Sequence, residues 1–211
     1  MSDWIADLRP SSAGRTLGDD AVVDDPFAQF RRWLDDAHAA GVAQPNAMTL
    51  STVDHGAPDA RIVLLKALDE RGFVFYTHRT SHKGRQLAQV ARAALTFWWD
   101  PLERQVRVRG DVEFTTDAES DAYFGSRPRG SQLGAIVSAQ SEVVERQALD
   151  QALTTVEAAT AGQPLARPAH WGGYRVVPTE FEFWQGRPNR LHDRIRFFRT
   201  GSAWGRQRLA P

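Results

Sequence analysis

Residues 47–77 read A-M-T-L-S-T-V-D-H-G-A-P-D-A-R-I-V-L-L-K-A-L-D-E-R-G-F-V-F-Y-T. Three runs rich in β-branched, aliphatic and aromatic residues, 47–53, 60–68 and 73–77, are separated by turn residues at Asp54-His55-Gly56 and Glu70-Arg71-Gly72. Short runs of this kind joined by tight turns pair as antiparallel hairpins. The stretch therefore predicts a meander, and no β-α-β alternation surrounds it.

Working outward, a short helix is expected over about 81–91, then aromatic and β-branched strands at 94–99 and 104–114 joined at Asp100-Pro101. Helical patterns follow at 117–124, 132–138 and 142–161, the last able to take a cap from Gln140-Ser141, and a Pro-rich linker spans 163–168. Strands return at 174–184, 193–199 and 203–209, with turns at Gly186-Arg187-Pro188-Asn189 and Thr200-Gly201-Ser202. Upstream, Asp25 caps a helix begun by Pro26, with an apolar stripe of Phe27, Phe30, Trp33, Leu34 and Ala37 and a stop at Gly41. Residues 1–24 lack apolar periodicity and are expected to form a mobile arm before a single domain over 25–211. The order predicts a mostly β protein with inserted α-helices, its antiparallel strands forming a closed or partly closed barrel.

Composition narrows the function. The 211 residues carry 26 basic and 26 acidic side chains, and this zero net charge argues against a partner as polyanionic as nucleic acid. Without cysteine there is no disulfide, thiolate metal site or thiol nucleophile. Apolar runs fall short of the ~20 residues that span a bilayer, so a cytoplasmic address is expected. No Walker loop, G-x-S-x-G elbow or dinucleotide fingerprint is present. His78 and His82 have metal-like spacing but no third ligand nearby in sequence, so no metal is expected.

Of the 26 cations only Lys66 and Lys83 are lysine. Either composition left two lysines by chance, or both sit where a compact ammonium meets phosphate. The loop Tyr123-Phe124-Gly125-Ser126-Arg127-Pro128-Arg129-Gly130-Ser131 gathers a phenol, two guanidiniums and hydroxyls ahead of a helix, which suits either a phosphate cradle or a solvated connection. Arg190, His192 and Arg194 recur at period two, roughly 7 Å apart on one face of a strand. That pattern describes a solvated edge or, beside Trp184, a wall for an anionic aromatic ring. Gln105, Arg107 and Arg109 alternate in the same way along a half-buried strand.

Taken together, R-I-V-L-L-K at 61–66, Y-T at 76–77, S-x-K-G at 81–84, E-R-Q-V at 103–106, S-R-P-R-G-S-Q-L-G-A at 126–135, Q-S at 140–141 and E-F-W-Q-G through R-L-H-D-R at 182–194 resemble the pyridoxamine 5′-phosphate oxidase family. The resemblance implies an FMN-binding split β-barrel that acts as a homodimer with FMN at the interface. It implies flavin contacts from Arg61, Ile62, Val63, Leu64, Leu65, Lys66, Tyr76, Thr77, His82, Lys83, Gln105, Gln140, Ser141, Trp184 and Arg194, with Arg61 and Lys83 on the flavin phosphate. It implies substrate contacts from Arg9, Lys66, Tyr123, Arg127, Ser131, Arg190, Leu191 and His192, with Arg190 and His192 in the catalytic roles. The implied reaction oxidises pyridoxamine or pyridoxine 5′-phosphate to pyridoxal 5′-phosphate, with oxygen as acceptor and hydrogen peroxide as product. A related branch acts on phenazine precursors, and a non-catalytic flavin or pyridoxal phosphate binder would keep the same cradle. The chain departs from the family pattern at Ser12, where a tyrosine is usual, at Gln44, where an acid is usual, and at His82, where an arginine is usual.

Overall fold

A computed structural model describes residues 14–211. Among the described residues, nine strands and five α-helices follow one another in the order expected for hairpins with inserted helices. The strands are β1 (Ala47–Asp54), β2 (Ala57–Leu64), β3 (Ala67–Asp69), β4 (Gly72–His78), β5 (Arg92–Trp99), β6 (Arg104–Phe114), β7 (Trp171–Gln185), β8 (Asp193–Thr200) and β9 (Ala203–Leu209). The helices are α1 (Pro26–Ala39), α2 (His82–Gln89), α3 (Asp117–Ser126), α4 (Arg129–Val137) and α5 (Arg146–Ala159). Strands pair in the order β2-β1-β5-β6-β7-β4-β3, with β8 beside β7 and β9 beside β8. The pairs β3–β4, β4–β7, β7–β8 and β8–β9 are antiparallel. No helix among the described residues is long and apolar enough to cross a membrane.

The chain divides into two compact units. The first comprises Met1–Thr49, Ala94–Arg109 and Thr179–Pro211. Its core is aromatic: Phe30 of α1 meets Phe97 edge-on at 4.8 Å, Trp33 meets Phe183 at 5.3 Å, and Phe27 meets Phe181 at 5.2 Å. These are the α1 stripe residues read from the sequence, and Asp25 caps the helix by accepting the Phe27 N–H at 3.0 Å. Leu17 and Val22, within the stretch expected as an arm, are buried in this unit, and Arg206 donates to the Val22 carbonyl at 3.0 Å.

The second unit comprises Leu50–Ala93 and Gly110–Pro178. The β4–β7 pair runs in register from Phe73 opposite Val176 to His78 opposite Trp171. Gly72 is required at its start, because a Cβ there would lie 2.1 Å from the Val176 carbonyl oxygen and φ is +151°. Arg175, with its side chain only 3% exposed, is held by Asp69 at 2.6 Å and by Glu119 at 2.9 Å. Glu119 also closes the capping box of α3, and its acceptance of the Thr116 N–H is the first reason its carboxyl falls to about 2.

Three local expectations are corrected. The strand expected over 60–68 is broken at Leu65-Lys66, where the Lys66 N–H donates to the Val74 carbonyl at 2.8 Å and the chain restarts as β3. Arg190 does not share a strand face with His192 and Arg194. Asn189 and Arg190 adopt φ 57° and 62° in a 3-10 turn, and β8 begins only at Asp193. Two successive left-handed residues destroy the period-two alternation that the sequence suggested. Gln140-Ser141 does not cap the long helix, since α5 starts at Arg146 behind Glu145.

Candidate active site

The second unit holds a cleft of about 470 Å³ lined by Ile62, Val63, Leu64, Lys66, Tyr76, Thr77, His78, Lys83, Tyr123, Arg127, Ser131, Gln140 and Trp171, among others. Local structure explains how Lys83 reaches it. Ser81 caps α2, accepting the Gly84 N–H at 3.3 Å while its hydroxyl donates to the His78 carbonyl at 2.7 Å. Gly84 permits this tight entry, because a Cβ would sit 2.2 Å from the Arg79 carbonyl oxygen. Lys83 in the first turn is half-buried, and its ammonium makes no hydrogen bond or ion pair among the described residues. Burial first, and then the charge of Arg61, lowers its pKa.

Arg61 is differently placed. Its guanidinium donates to Thr52 Oγ1 at 2.7 Å, to the Leu50 carbonyl at 3.1 Å and to Gln86 Oε1 at 3.0 Å, and it pairs closely with Asp59. Gln86 and Thr52 are buried, and Gln86 Nε2 donates to Asp59 Oδ2 at 2.8 Å. That bond leads the causes holding Asp59 below the usual carboxylate range. Arg61 is thus locked into a polar network whose members Thr52, Asp59 and Gln86 were not singled out from sequence. Asp59 meets Arg61 two residues along the strand, and Gln86 arrives from a separate helix. His82 Nε2 meets Asp54 Oδ2 at 3.1 Å, and its backbone N–H donates to Ser141 Oγ at 3.1 Å.

An aromatic wall forms one side of the cleft. Tyr76 and Tyr123 stack at 4.0 Å and 20°, and Trp171 lies nearly parallel to both, 5.4 Å from Tyr76 and 6.1 Å from Tyr123. The Arg127 guanidinium stands 4.9 Å from the Trp171 ring centre. Its Nη1 is enclosed without a hydrogen-bond partner among the described residues, and burial lowers its pKa. Lys66 and Ser131 are exposed at the rim. Gln140 Oε1 accepts from Thr77 Oγ1 at 2.8 Å and from the His78 N–H at 3.4 Å. His78 was read from sequence only as a failed metal ligand, yet it lines the cleft. Burial, followed by the charges of His170, Lys83 and Arg127, lowers its pKa to about 4. Trp171 was also missed, because nothing in an isolated W-G-G-Y sequence distinguishes a cleft wall from a core residue.

The remaining candidates lie in the first unit. His192 sits 4.5 Å from Trp184, centre to centre, and Trp98 flanks Trp184 at 6.1 Å. The Arg187 N–H donates to His192 Nδ1 at 3.1 Å, so the neutral imidazole carries its proton on Nε2. Arg190 and Leu191 are exposed on the left-handed turn. Arg194 opposes Trp184 across the β7–β8 pair. Its Nε donates to Glu182 at 2.9 Å, the leading cause of its raised pKa, and an Nη reaches the Ala210 carbonyl at 2.8 Å. Gln105 is half-buried on β6. Arg9 and Ser12 lie outside the described residues.

Residues 34–160 match the family described as pyridoxamine 5′-phosphate oxidase, and residues 171–211 match a pyridoxine 5′-phosphate oxidase C-terminal dimerisation region. The pyridoxine/pyridoxamine 5′-phosphate oxidase of Synechocystis sp. is 56% identical over 209 residues, 98% of either chain. That of Salinibacter ruber is 55% identical over 212 residues, 98% of this chain and 99% of the relative. Among solved structures, PhzG from Burkholderia lata in complex with tetrahydrophenazine-1-carboxylic acid has a TM-score of 0.89 at 32% identity, covering 96% of this chain and 100% of that one. A pyridoxamine 5′-phosphate oxidase-related, FMN-binding protein from Nostoc punctiforme shares the fold at a TM-score of 0.72 and 15% identity, covering 89% and 98% of the two chains. The mostly β, antiparallel split-barrel class expected from sequence is the class of these structures.

Proposed function

The chain belongs to the pyridoxamine 5′-phosphate oxidase family, and from that premise we propose that it is an FMN-dependent oxidase converting pyridoxamine 5′-phosphate, and pyridoxine 5′-phosphate, to pyridoxal 5′-phosphate. One observation carries the reading: a single cleft holds uncompensated cations at two places, Lys83 on α2 and Lys66 with Arg127 beside an aromatic wall. Two phosphorylated aromatic molecules require that arrangement. Half-buried cations without partners cost free energy that a bound phosphate returns as charge-assisted hydrogen bonds.

The residues fit FMN. Lys83, helped by the field of Arg61, is available to the flavin phosphate, while Ile62, Val63, Leu64, Tyr76 and Thr77 of the cleft lining, with the buried Leu65 next in the chain, offer backbone and apolar contact to a flat ring. Gln105, Gln140, Ser141, His82, Trp184 and Arg194 complete the proposed FMN contacts in a homodimer in which both copies contribute to each site. FMN held by these residues would supply hydride acceptance from the substrate carbon bearing the amine or alcohol, with oxygen as final electron acceptor and hydrogen peroxide as product.

The chain's own part is position and charge. Lys66, Tyr123, Arg127 and Ser131 grip the substrate phosphate, fixing the reacting carbon through binding energy remote from it. Arg190 stabilises negative charge developing on the substrate ring and heteroatom. His192 presents Nε2–H toward the substrate amine or alcohol, its tautomer set by the Arg187 N–H.

The test is anaerobic addition of pyridoxamine 5′-phosphate to the purified yellow protein. Rapid bleaching is expected. A yellow protein that responds only to a reduced phenazine precursor would move the reading to that substrate, and a colourless protein unable to take up FMN would overturn it. Within the oxidase reading, Lys66→Ala raises the substrate dissociation constant about 30-fold with FMN retained. Arg190→Ala instead slows flavin reduction at saturating substrate by about 100-fold.

A further inference from the structure

Asp193 follows His192 directly and is only 7% exposed. Three donors converge on its carboxylate: the Leu17 N–H reaches Oδ2 at 2.8 Å, and Arg208 at 2.8 Å and Arg187 at 3.3 Å reach Oδ1. Arg208 extends the clasp to the Leu17 carbonyl at 2.9 Å and to Asp19 at 2.7 Å. Arg187 forms the inner half, since its backbone N–H donates to His192 Nδ1 while its side chain returns to Asp193. Both ends of the 187–192 turn are thereby tied together. Between them stand Asn189 and Arg190, whose left-handed backbone costs conformational energy and persists only where the surroundings hold it.

We propose that Asp193 is the positioning residue of this turn: through Arg187 it holds the strained Asn189–Arg190 pair in place and keeps His192 Nδ1 as an acceptor, so that Nε2–H faces the substrate. The proposal rests on the assignment of Arg190 and His192 to the substrate. The physical basis is that a buried carboxylate accepts from all three donors at once, whereas an amide of the same shape cannot neutralise Arg187 and Arg208 and turns its own N–H₂ either toward both guanidiniums at the Oδ1 position or toward the Leu17 N–H at the Oδ2 position. Loss of the charge therefore releases Arg187 while leaving the volume of the site filled. Preorganisation is lost before packing is.

The test is Asp193→Asn in the FMN-loaded protein, with two readouts. In ¹⁵N spectra of the imidazoles, assigned by comparison with His192→Gln, His192 Nδ1 is expected to be unprotonated in the parent and to exchange between tautomers in the variant. Anaerobic flavin reduction at saturating pyridoxamine 5′-phosphate is expected to slow at least tenfold, with flavin content kept and substrate affinity within threefold. Arg187→Ala, which keeps the backbone N–H but loses the tie to Asp193, is expected to move both readouts the same way and serves if Asp193→Asn does not fold. A lower melting temperature with the parent tautomer and parent reduction rate would reduce Asp193 to a staple and overturn the proposal. A tautomer change in a protein whose parent form is not reduced by pyridoxamine 5′-phosphate would support the positioning role and sink the substrate assignment instead.

Discussion

Lys83 and Arg194 are both half-buried cations among the expected flavin contacts, yet their surroundings are opposite. Lys83 has no hydrogen-bonding or ion-pair partner among the described residues, and burial depresses its pKa. Arg194 is bonded to Glu182 and to the Ala210 carbonyl, and its pKa is raised. The same division separates the two regions. In the cleft Lys83, Lys66 and Arg127 make no ion pair among the described residues, whereas around the 187–192 turn Arg187, Arg194 and Arg208 each contact a carboxylate. An unpaired cation is destabilising in the free protein and becomes an asset when an anion arrives, while a paired one contributes to the fold at once and offers a ligand little new charge. The cleft keeps its charge open to an anion, and the paired cations around the turn hold its shape.

Exchanging each cation for methionine sharpens the contrast, and the largest effect is expected at Lys83. Lys83→Met lowers FMN affinity about 100-fold, the worth of a charge-assisted contact to phosphate, while the melting temperature of the apoprotein does not fall, because an unsatisfied ammonium has been removed. Fluorescence titration of FMN and calorimetry of the apoprotein check both halves. A large loss of apoprotein stability would mean that Lys83 has a structural partner and would break the comparison.

At Arg194 the signs reverse. Arg194→Met leaves Glu182, 7% exposed, with Arg107 at 3.4 Å as its remaining cation. Apoprotein stability is expected to drop by about 2 kcal/mol, less than the full cost of breaking a buried pair because Arg107 stays. Urea unfolding of the apoprotein measures it, and an unchanged midpoint would show the Glu182 pair to be dispensable.

This division was only partly legible in the sequence. The bounds of β6 and β9 agree with the alternating runs read there, and α1 with its Asp25 cap and aromatic stripe followed from spacing, because those signals are local. The scarcity of lysine drew attention to Lys66 and Lys83, and both line the cleft. What sequence could not supply was pairing. Arg61 and Lys83 read as equivalent phosphate ligands, but Gln86 and Thr52 close around Arg61 only after α2 folds against β1 and β2. The R-L-H-D-R alternation suggested one strand face, and nothing in residue type announced that Asn189 and Arg190 both turn left-handed. Asp193 looked like an ordinary alternating charge until Leu17, Arg187 and Arg208 came together from distant parts of the chain.

The smallest expected effect concerns His78, a third group that feels the cleft's unbalanced charge. It is 4% exposed, and its pKa falls from an ordinary 6.5 to about 4 through burial and the fields of His170, Lys83 and Arg127. A histidine with a depressed folded pKa binds its proton more readily in the unfolded chain, so its contribution is fully present above about pH 6.5 and is lost as pH falls toward 4. His78→Asn removes that linkage. Relative to the parent, the variant apoprotein should gain on the order of 1 kcal/mol on acidification from neutrality to about pH 5.5. Unfolding measured at a series of pH values gives the difference in slope, and equal slopes would show that the imidazole does not sense the cleft. Saturating inorganic phosphate should flatten the parent's slope slightly more than the variant's, because burial remains the main cause of the low His78 pKa while an anion beside Lys83 and Arg127 cancels the smaller contribution of their charges. Phosphate should leave the stability loss of Arg194→Met unchanged, because Arg187, Arg194 and Arg208 already have their carboxylates.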